Sequence, residues 1–203
     1  MWRIRSRCSS ATANVGGVFD AIVLAGGTAR RLGGTAKPQL GVGGRTLLDR
    51  AVLAVSAARR VVVVGPPQPV TGEVTFCRED PPAGGPVAAI AAGLPLTAAD
   101  VVVVLAADLP WIAPAVPALL AALPASGVAL LVDGTGRPNH LAAAWRRPDL
   151  VRALDAVGAP AGAPVRALVG AVDQVHVPDP DGWGRDCDTW EDLADARALG
   201  EDR

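Results

Sequence analysis

The 203-residue sequence has no tyrosine and only two phenylalanines, and aromatic residues make up 3% of it. Half of the residues are nevertheless apolar, mainly Ala, Val and Leu, so the core has to be aliphatic and closely packed. A chain of this length is most simply one domain with a sizeable core. The formal net charge of −1 gives no bulk attraction for nucleic acid, and we expect no such partner.

Cysteine is scarce as well. The three cysteines, Cys8, Cys77 and Cys187, form no CxxC pair and no Cys/His cluster. Their odd number and wide spacing argue against a disulfide framework and against a zinc site. A reducing, cytoplasmic location fits this pattern best.

An uncharged stretch, residues 110–132, is long enough to cross a membrane. Four prolines interrupt it, and proline breaks the interior of a helix. We therefore predict a short helix that begins near Pro114 and ends before Pro124, followed by a buried strand. No membrane partner is expected.

Residues 1–17 contain Arg and Ser but neither an acidic residue nor a continuous apolar run. They lack the apolar segment of a secretory signal. We predict that they form a disordered extension and that residues 18–203 form one domain.

Val-rich runs alternate with helical patterns through the rest of the chain. Long apolar runs are typical of strands that are covered on both faces, and here they span residues 18–26, 59–65, 73–77, 100–107 and 127–133. Helices are predicted at 46–58, 85–94 and 189–199, and a further strand at 140–146. This alternation predicts an α/β fold with a mostly parallel central sheet.

Ligands of such sheets bind beyond the carboxyl ends of the strands, which draws attention to LAGGTARRLGGTAKP, residues 24–38. This segment holds four glycines and Lys37, the only lysine beside eighteen arginines. A glycine-rich turn exposes backbone N–H groups to a phosphate, although glycines also form plain strand-to-helix turns. The absence of GK[ST] excludes a Walker A loop.

The longer stretch LAGGTARRLGGTAKPQL resembles the signature loop of the MobA-like nucleotidyltransferases, the family of the molybdenum cofactor guanylyltransferases. Four more segments resemble motifs of this family and follow in its order: EDPPAGGPVAAIAAGL (79–94), LAADLP (105–110), DGTGRPNHLAAAW (133–145) and DCDTWEDLADA (186–196). The resemblance covers about residues 18–200.

The resemblance implies a Rossmann-like three-layer sandwich and a Mg²⁺-dependent transfer of GMP from GTP to molybdopterin, with release of pyrophosphate. A cytidylyl- or sugar-phosphate nucleotidyltransferase of the same fold is an alternative, because fold does not settle substrate. A non-catalytic nucleotide-binding homologue is another.

The resemblance also implies roles for individual residues. Eight of them would bind the nucleotide: Leu24, Ala25, Gly26, Gly27, Arg31, Lys37, Asp80 and Asp108. Backbone groups of the first four would contact the base and phosphates, Arg31 would neutralise the triphosphate, and Asp80 would bind base or ribose. Lys37 and Asp108 are the implied catalytic residues.

Lys37 would place a compact ammonium beside the α-phosphate, where the flat guanidinium of arginine fits less well. Asp108 would hold Mg²⁺, which takes one or two carboxylates in addition to phosphates, and Asp188 or Asp186 would offer the second carboxylate. The chain departs from the family where it has Gly65-Pro66 in place of an Asn and Lys37-Pro38 in place of Lys-Gly. The Gly26-Gly27 pair and Asp108-Leu109-Pro110 resemble the guanylyltransferases of this family more than the cytidylyltransferases.

Overall fold

A computed structural model describes residues 18–26 and 36–200 of the protein. The predicted extension, residues 1–17, lies outside the described residues and stays a prediction. Within the described part, no helix is both long and apolar enough to cross a membrane.

The strands are β1 (Phe19–Leu24), β2 (Gly41–Val42), β3 (Arg45–Thr46), β4 (Val61–Val64), β5 (Thr75–Cys77), β6 (Val101–Ala106), β7 (Val128–Val132), β8 (Pro138–Arg146) and β9 (Gln174–Pro178). The helices are α1 (Leu47–Ala54), α2 (Pro86–Gly93), α3 (Ala115–Ala122), α4 (Arg147–Val157), α5 (Val165–Val169) and α6 (Trp190–Gly200).

Seven strands form one sheet in the order β5-β4-β1-β6-β8-β7-β9, and β2 and β3 form a separate hairpin. Among the described strands of the large sheet, only β8 runs antiparallel to its neighbours, β6 and β7. Strands β4 and β6 are largely runs of buried valine, which is typical of parallel strands covered on both faces.

Helices cover both faces of the sheet. Alternate residues of β1 point to opposite faces, so Ala21 and Val23 pack with α1 and α3, whereas Ile22 packs with α2, α4 and α5. The predicted α/β fold with three layers and a mostly parallel sheet is therefore confirmed.

Most predicted elements are present with small shifts of their ends. The first helix stops at Ala54 instead of residue 58, and the helix between Pro114 and Pro124 spans Ala115–Ala122. Sequence patterns missed α4, α5, β9 and the β2–β3 hairpin. The strand β9 was missed because it is short and three of its five residues are exposed at the sheet edge.

Candidate active site

The carboxyl ends of the parallel strands lie side by side. Leu24 pairs with Val64 on one side and with Ala106 on the other, and Val64 pairs with Cys77. The segments that follow β1, β4, β5 and β6 consequently meet at one edge of the sheet. This edge is where ligands bind in open α/β folds.

Lys37 and two aspartates meet at this edge. The Lys37 ammonium donates to Oδ2 of Asp108 at 2.5 Å and to Oδ1 of Asp188 at 2.5 Å. The Lys37 side chain is 15% exposed, that of Asp108 24%, and that of Asp188 52%. The group is thus shielded on the Lys37 side and open to solvent at Asp188.

Pro38 fixes the backbone beside Lys37. Residues Lys37–Gln39 form one turn of 3-10 helix in which Pro38 is buried, and the amide of Leu40 donates to the Lys37 carbonyl at 3.1 Å. Proline presets the backbone angle that such a turn needs. The departure from Lys-Gly to Lys37-Pro38 therefore stiffens the segment that carries the ammonium.

A small apolar cluster brings the Lys37 segment and the Asp188 segment together. It joins Leu40, Val42 and Leu47 on one side to Cys187, Leu193 and Ala196 on the other. The amide of Cys187 also donates to the Asp108 carbonyl at 3.1 Å. Packing of α6 on the hairpin therefore sets the separation between the three charged side chains.

Arg50 anchors the loop that follows Asp108. Its guanidinium lies 4.4 Å from the ring centroid of Trp111, a cation–π contact. It also donates to the carbonyls of Val42, at 2.8 Å, and Pro110, at 3.4 Å. Helix α1, the hairpin and the Asp108 loop are thereby held as one unit.

The carboxylates of Asp108 and Asp188 keep the Lys37 side chain charged. Burial by itself would lower the pKa of Lys37, but Asp108 and Asp188 outweigh it, so the pKa is raised and Lys37 stays charged. Burial raises the pKa of Asp186, and the nearby charges of Asp188 and Asp108 raise it further. Asp186 thus adds a third acidic side chain near the Lys37 ammonium, which pairs with Asp108 and Asp188.

The donor set suits a divalent cation. Two carboxylate oxygens point at one position, which the Lys37 nitrogen takes at 2.5 Å from both, and Mg²⁺ prefers oxygen ligands from one or two carboxylates plus phosphates. Within residues 18–26 and 36–200, no group of three or more His, Cys, Asp or Glu side chains is arranged to hold a metal ion. Further ligands would have to come from a substrate.

The end of β1 presents open backbone. Gly26 is exposed, whereas Leu24 is half-buried and Ala25 is buried. A Cβ on Gly65 would lie 2.8 Å from the carbonyl carbon and oxygen of Ala25, so only glycine lets β4 approach this closely. The family's Asn cannot occupy position 65 on this backbone. Gly27 and Arg31 lie outside the described residues.

Two glutamines that the sequence analysis missed connect this strand end to the Lys37 turn. Gln39 donates to Oε1 of Gln68 at 3.0 Å, and Gln68 donates to the Ala25 carbonyl at 3.4 Å. No local motif marks these residues, because their partners are distant in sequence. Asp80 follows β5 and is exposed, and its predicted contact with base or ribose stays a prediction.

A cleft of about 750 Å³ opens beside Asp186, between the β7–β8 turn and residues 179–185. Arg137, His140 and Arg185 line it. Burial lowers the pKa of His140, and the charge of Arg137 lowers it further, so the imidazole is neutral at neutral pH. Another cleft, of about 800 Å³, lies between α1 and the β4–β5 region and is lined by none of the charged residues around Lys37.

Comparisons with known proteins agree with this arrangement. The family model of the MobA-like NTP transferase domain matches residues 21–177. A molybdenum cofactor guanylyltransferase of Acidiphilium cryptum (strain JF-5) is 33% identical over 142 residues, which make up 64% of this chain and 68% of that protein.

Solved structures share the fold. Molybdopterin-guanine dinucleotide biosynthesis protein A of Archaeoglobus fulgidus superposes with a TM-score of 0.68 at 19% identity, covering 91% of this chain and all (100%) of the other. The 2-C-methyl-D-erythritol 4-phosphate cytidylyltransferase of Thermus thermophilus gives a TM-score of 0.68 at 21% identity, covering 89% of this chain and 98% of the other.

Proposed function

Because the chain belongs to the MobA-like NTP transferase family and is a nucleotidyltransferase, we propose that it transfers GMP from GTP to molybdopterin and releases pyrophosphate. The observation that carries this proposal is the meeting of Lys37, Asp108 and Asp188 at the strand edge, next to the exposed Gly26. The name of the Acidiphilium relative supports the choice of GTP and molybdopterin.

The reaction joins two anions, so the protein has to neutralise charge and position the reactants. A phosphate oxygen of the acceptor attacks the α-phosphorus, and the bond to the leaving pyrophosphate breaks. Lys37 donates to the α-phosphate oxygens as negative charge builds there. Its ammonium carries three donors on a flexible stem, so it can turn from the carboxylates to the phosphate.

Asp108 and Asp188 would hold Mg²⁺, which neutralises the triphosphate and the departing pyrophosphate. The backbone of Leu24, Ala25 and Gly26 would contact the nucleotide, with Gly27 and Arg31 as further proposed contacts. Asp80, at the end of β5, is the proposed partner of the ribose or the base.

The cleft beside Asp186 is the proposed site of the acceptor. Arg137 and Arg185 supply two cations to it, which suits a phosphate-bearing acceptor. Asp186 lines this cleft, so an acceptor phosphate bound there would lie on the same side of the sheet as the Lys37 group, which supports the proposal.

The experiment is a panel of GTP, CTP, ATP and UTP in the presence of Mg²⁺, with and without molybdopterin, read as pyrophosphate release. We expect release only with GTP and molybdopterin together. Faster release with CTP would contradict the guanylyl assignment. Tight GTP binding without pyrophosphate release in the complete mixture would indicate a non-catalytic homologue.

A further inference from the structure

The loop that follows β9 carries one of the two cations of the proposed acceptor cleft. Arg185 lies in this loop, directly before Asp186; it is exposed and lines the cleft. The conformations open to a side chain depend on the backbone that carries it. The contacts that fix the backbone at Arg185 therefore bear on how the acceptor is bound.

Asp179 and Asn139 hold Gly184, the residue before Arg185, by its two backbone groups. The Gly184 amide donates to Oδ2 of Asp179 at 2.8 Å, and Nδ2 of Asn139 donates to the Gly184 carbonyl at 2.9 Å. Asp179 is 6% exposed and also accepts from the amide of Trp183 at 2.8 Å. Bonds from amides to a carboxylate are strong, so Asp179 shapes the loop and Asn139 acts at its end.

Asn139 restrains the peptide plane that leads into Arg185. The Gly184 carbonyl and the Arg185 amide belong to the same planar unit. Asn139 donates to the carbonyl of this unit, and its amide donates to the Gly182 carbonyl at 3.3 Å. Because the plane is held at both edges, the bond from the nitrogen to the Cα of Arg185 keeps one direction.

Asn139 is itself held in place. Its Oδ1 accepts from the Leu141 amide at 3.0 Å, so both ends of the side-chain amide are used. Asn139 belongs to β8 and pairs with Leu131 of β7. A Cβ on Gly184 would lie 2.7 Å from Cδ2 of Leu131, so glycine lets the loop rest on this strand pair. The donor to Gly184 thus comes from a paired strand, which positions it precisely.

We propose that Asn139 is a positioning residue for the acceptor and acts through Arg185. By holding the Gly184–Arg185 peptide, it keeps the Arg185 guanidinium at the cleft beside Asp186, where it binds a phosphate of the acceptor together with Arg137. This inference rests on the proposed function, in which a phosphate-bearing acceptor occupies that cleft.

The test begins with Asn139→Ser, which removes the donor to Gly184. The serine hydroxyl can still accept from the Leu141 amide two residues on, and the change adds no charge. We expect the KM for molybdopterin to rise about tenfold, the worth of one hydrogen bond to a charged group. The dissociation constant of GTP should not change, and kcat for pyrophosphate release should change little.

A double-mutant cycle shows whether Asn139 acts through Arg185. Arg185→Ala should raise the KM for molybdopterin by itself, and adding Asn139→Ser to it should raise the KM no further. A merely structural role of Asn139 would raise the KM by the same factor with and without Arg185. That outcome, or an unchanged KM in Asn139→Ser, would overturn the proposal.

Gln174→Ser is the matched control, because it also removes a side-chain amide that donates to a backbone carbonyl, that of Val169 at 3.2 Å. Gln174 does not line the cleft, so the KM should equal that of the wild type. If Asn139→Ser does not fold, Asn139→Asp, which keeps the size of the side chain and an acceptor for Leu141, replaces it in the cycle with the same two opposite outcomes. A wild type that releases no pyrophosphate from GTP and molybdopterin would refute the proposed function as well, whereas an active wild type with an unchanged KM in the variant would refute this inference alone.

Discussion

Lys37 and Asp108 are 71 positions apart in the chain, yet their side chains meet at 2.5 Å. Asp188 accepts from the same ammonium at 2.5 Å, so Lys37 holds two carboxylates that would otherwise repel each other. The two carboxylates carry one more negative charge than the single ammonium neutralises. A bound triphosphate would compete with both aspartates for Lys37.

We expect Lys37→Arg to lower turnover about 100-fold, corresponding to about 3 kcal/mol of lost transition-state stabilisation. The charge is kept, but a wide planar donor replaces a compact one between Asp108 and Asp188. The affinity for GTP should fall much less, because the proposed backbone contacts with the phosphates do not involve the side chain at position 37. The measurement compares kcat for pyrophosphate release with the dissociation constant of GTP.

Arg59→Lys provides the control for this prediction, because it exchanges the same two residue types at an exposed position. Its turnover should match that of the wild type. Wild-type turnover in Lys37→Arg would show that any cation serves at position 37 and that the shape of the ammonium is irrelevant.

Most of the sheet was predictable because strands such as β4 and β6 are short continuous apolar runs rich in valine, a pattern typical of strands covered on both faces. The edge strand β9 was not, since the sequence QVHVP is short and partly polar. Likewise, α4 follows β8 directly, without the loop of Gly or Ser that usually separates two elements.

The site could be predicted only in part. The strand-end rule and the family motif pointed to Lys37 and Asp108, and the structure brings them together. The resemblance also named Asp188 or Asp186 as a second carboxylate, but the contact of Asp188 with Lys37 depends on α6 packing against the hairpin, a tertiary contact with no local signal. The same applies to Glu79, which is buried, and Asp80, which is exposed: sequence cannot tell which of two adjacent acids turns inward after a short strand.

We expect Asp108→Asn to retain the fold and to lose activity by at least about 100-fold. The change removes one partly exposed ion pair with Lys37, so the free energy of unfolding should fall by only about 1 kcal/mol. Turnover in Mg²⁺ and urea unfolding measure the two effects separately.

The control is Asp100→Asn, an exposed acid that precedes the other end of β6. It should change neither quantity noticeably. If Asp108→Asn retained near-wild-type turnover in Mg²⁺, Asp108 would not be the metal ligand.

Asp149, which lies away from the site, should make the stability of the fold depend on pH in the acidic range. It accepts from Arg152 and from the buried amide of Gly127, and these contacts, that of Arg152 first, hold its pKa below the ordinary 3.8. A lowered pKa stabilises the fold above pH 3.8, and this stabilisation is lost as the pH falls through the lower folded-state value.

Asp149→Asn should therefore lower the free energy of unfolding by about 1 to 2 kcal/mol at pH 7, and the difference from wild type should shrink towards pH 3. Urea unfolding at a series of pH values measures it. A difference that stays constant across this range would show that the charge of Asp149 contributes nothing and that only its shape matters.

Of the three aspartates near Lys37, Asp186 contributes least to the stability of the folded protein. It makes no ion pair within 4.0 Å among the described residues, and burial together with the charges of Asp188 and Asp108 opposes its ionisation. In metal-free protein at pH 7, Asp186→Asn should therefore raise the melting temperature, whereas Asp188→Asn should lower it slightly by removing a contact with Lys37.

Asp181→Asn, an exposed change in the same loop, controls for the loss of one negative charge from the surface. Thermal unfolding in EDTA ranks the three variants. A lower melting temperature for Asp186→Asn than for Asp181→Asn would mean that Asp186 makes a stabilising contact in the folded protein, and that the repulsion among the three carboxylates is not what governs this corner of the site.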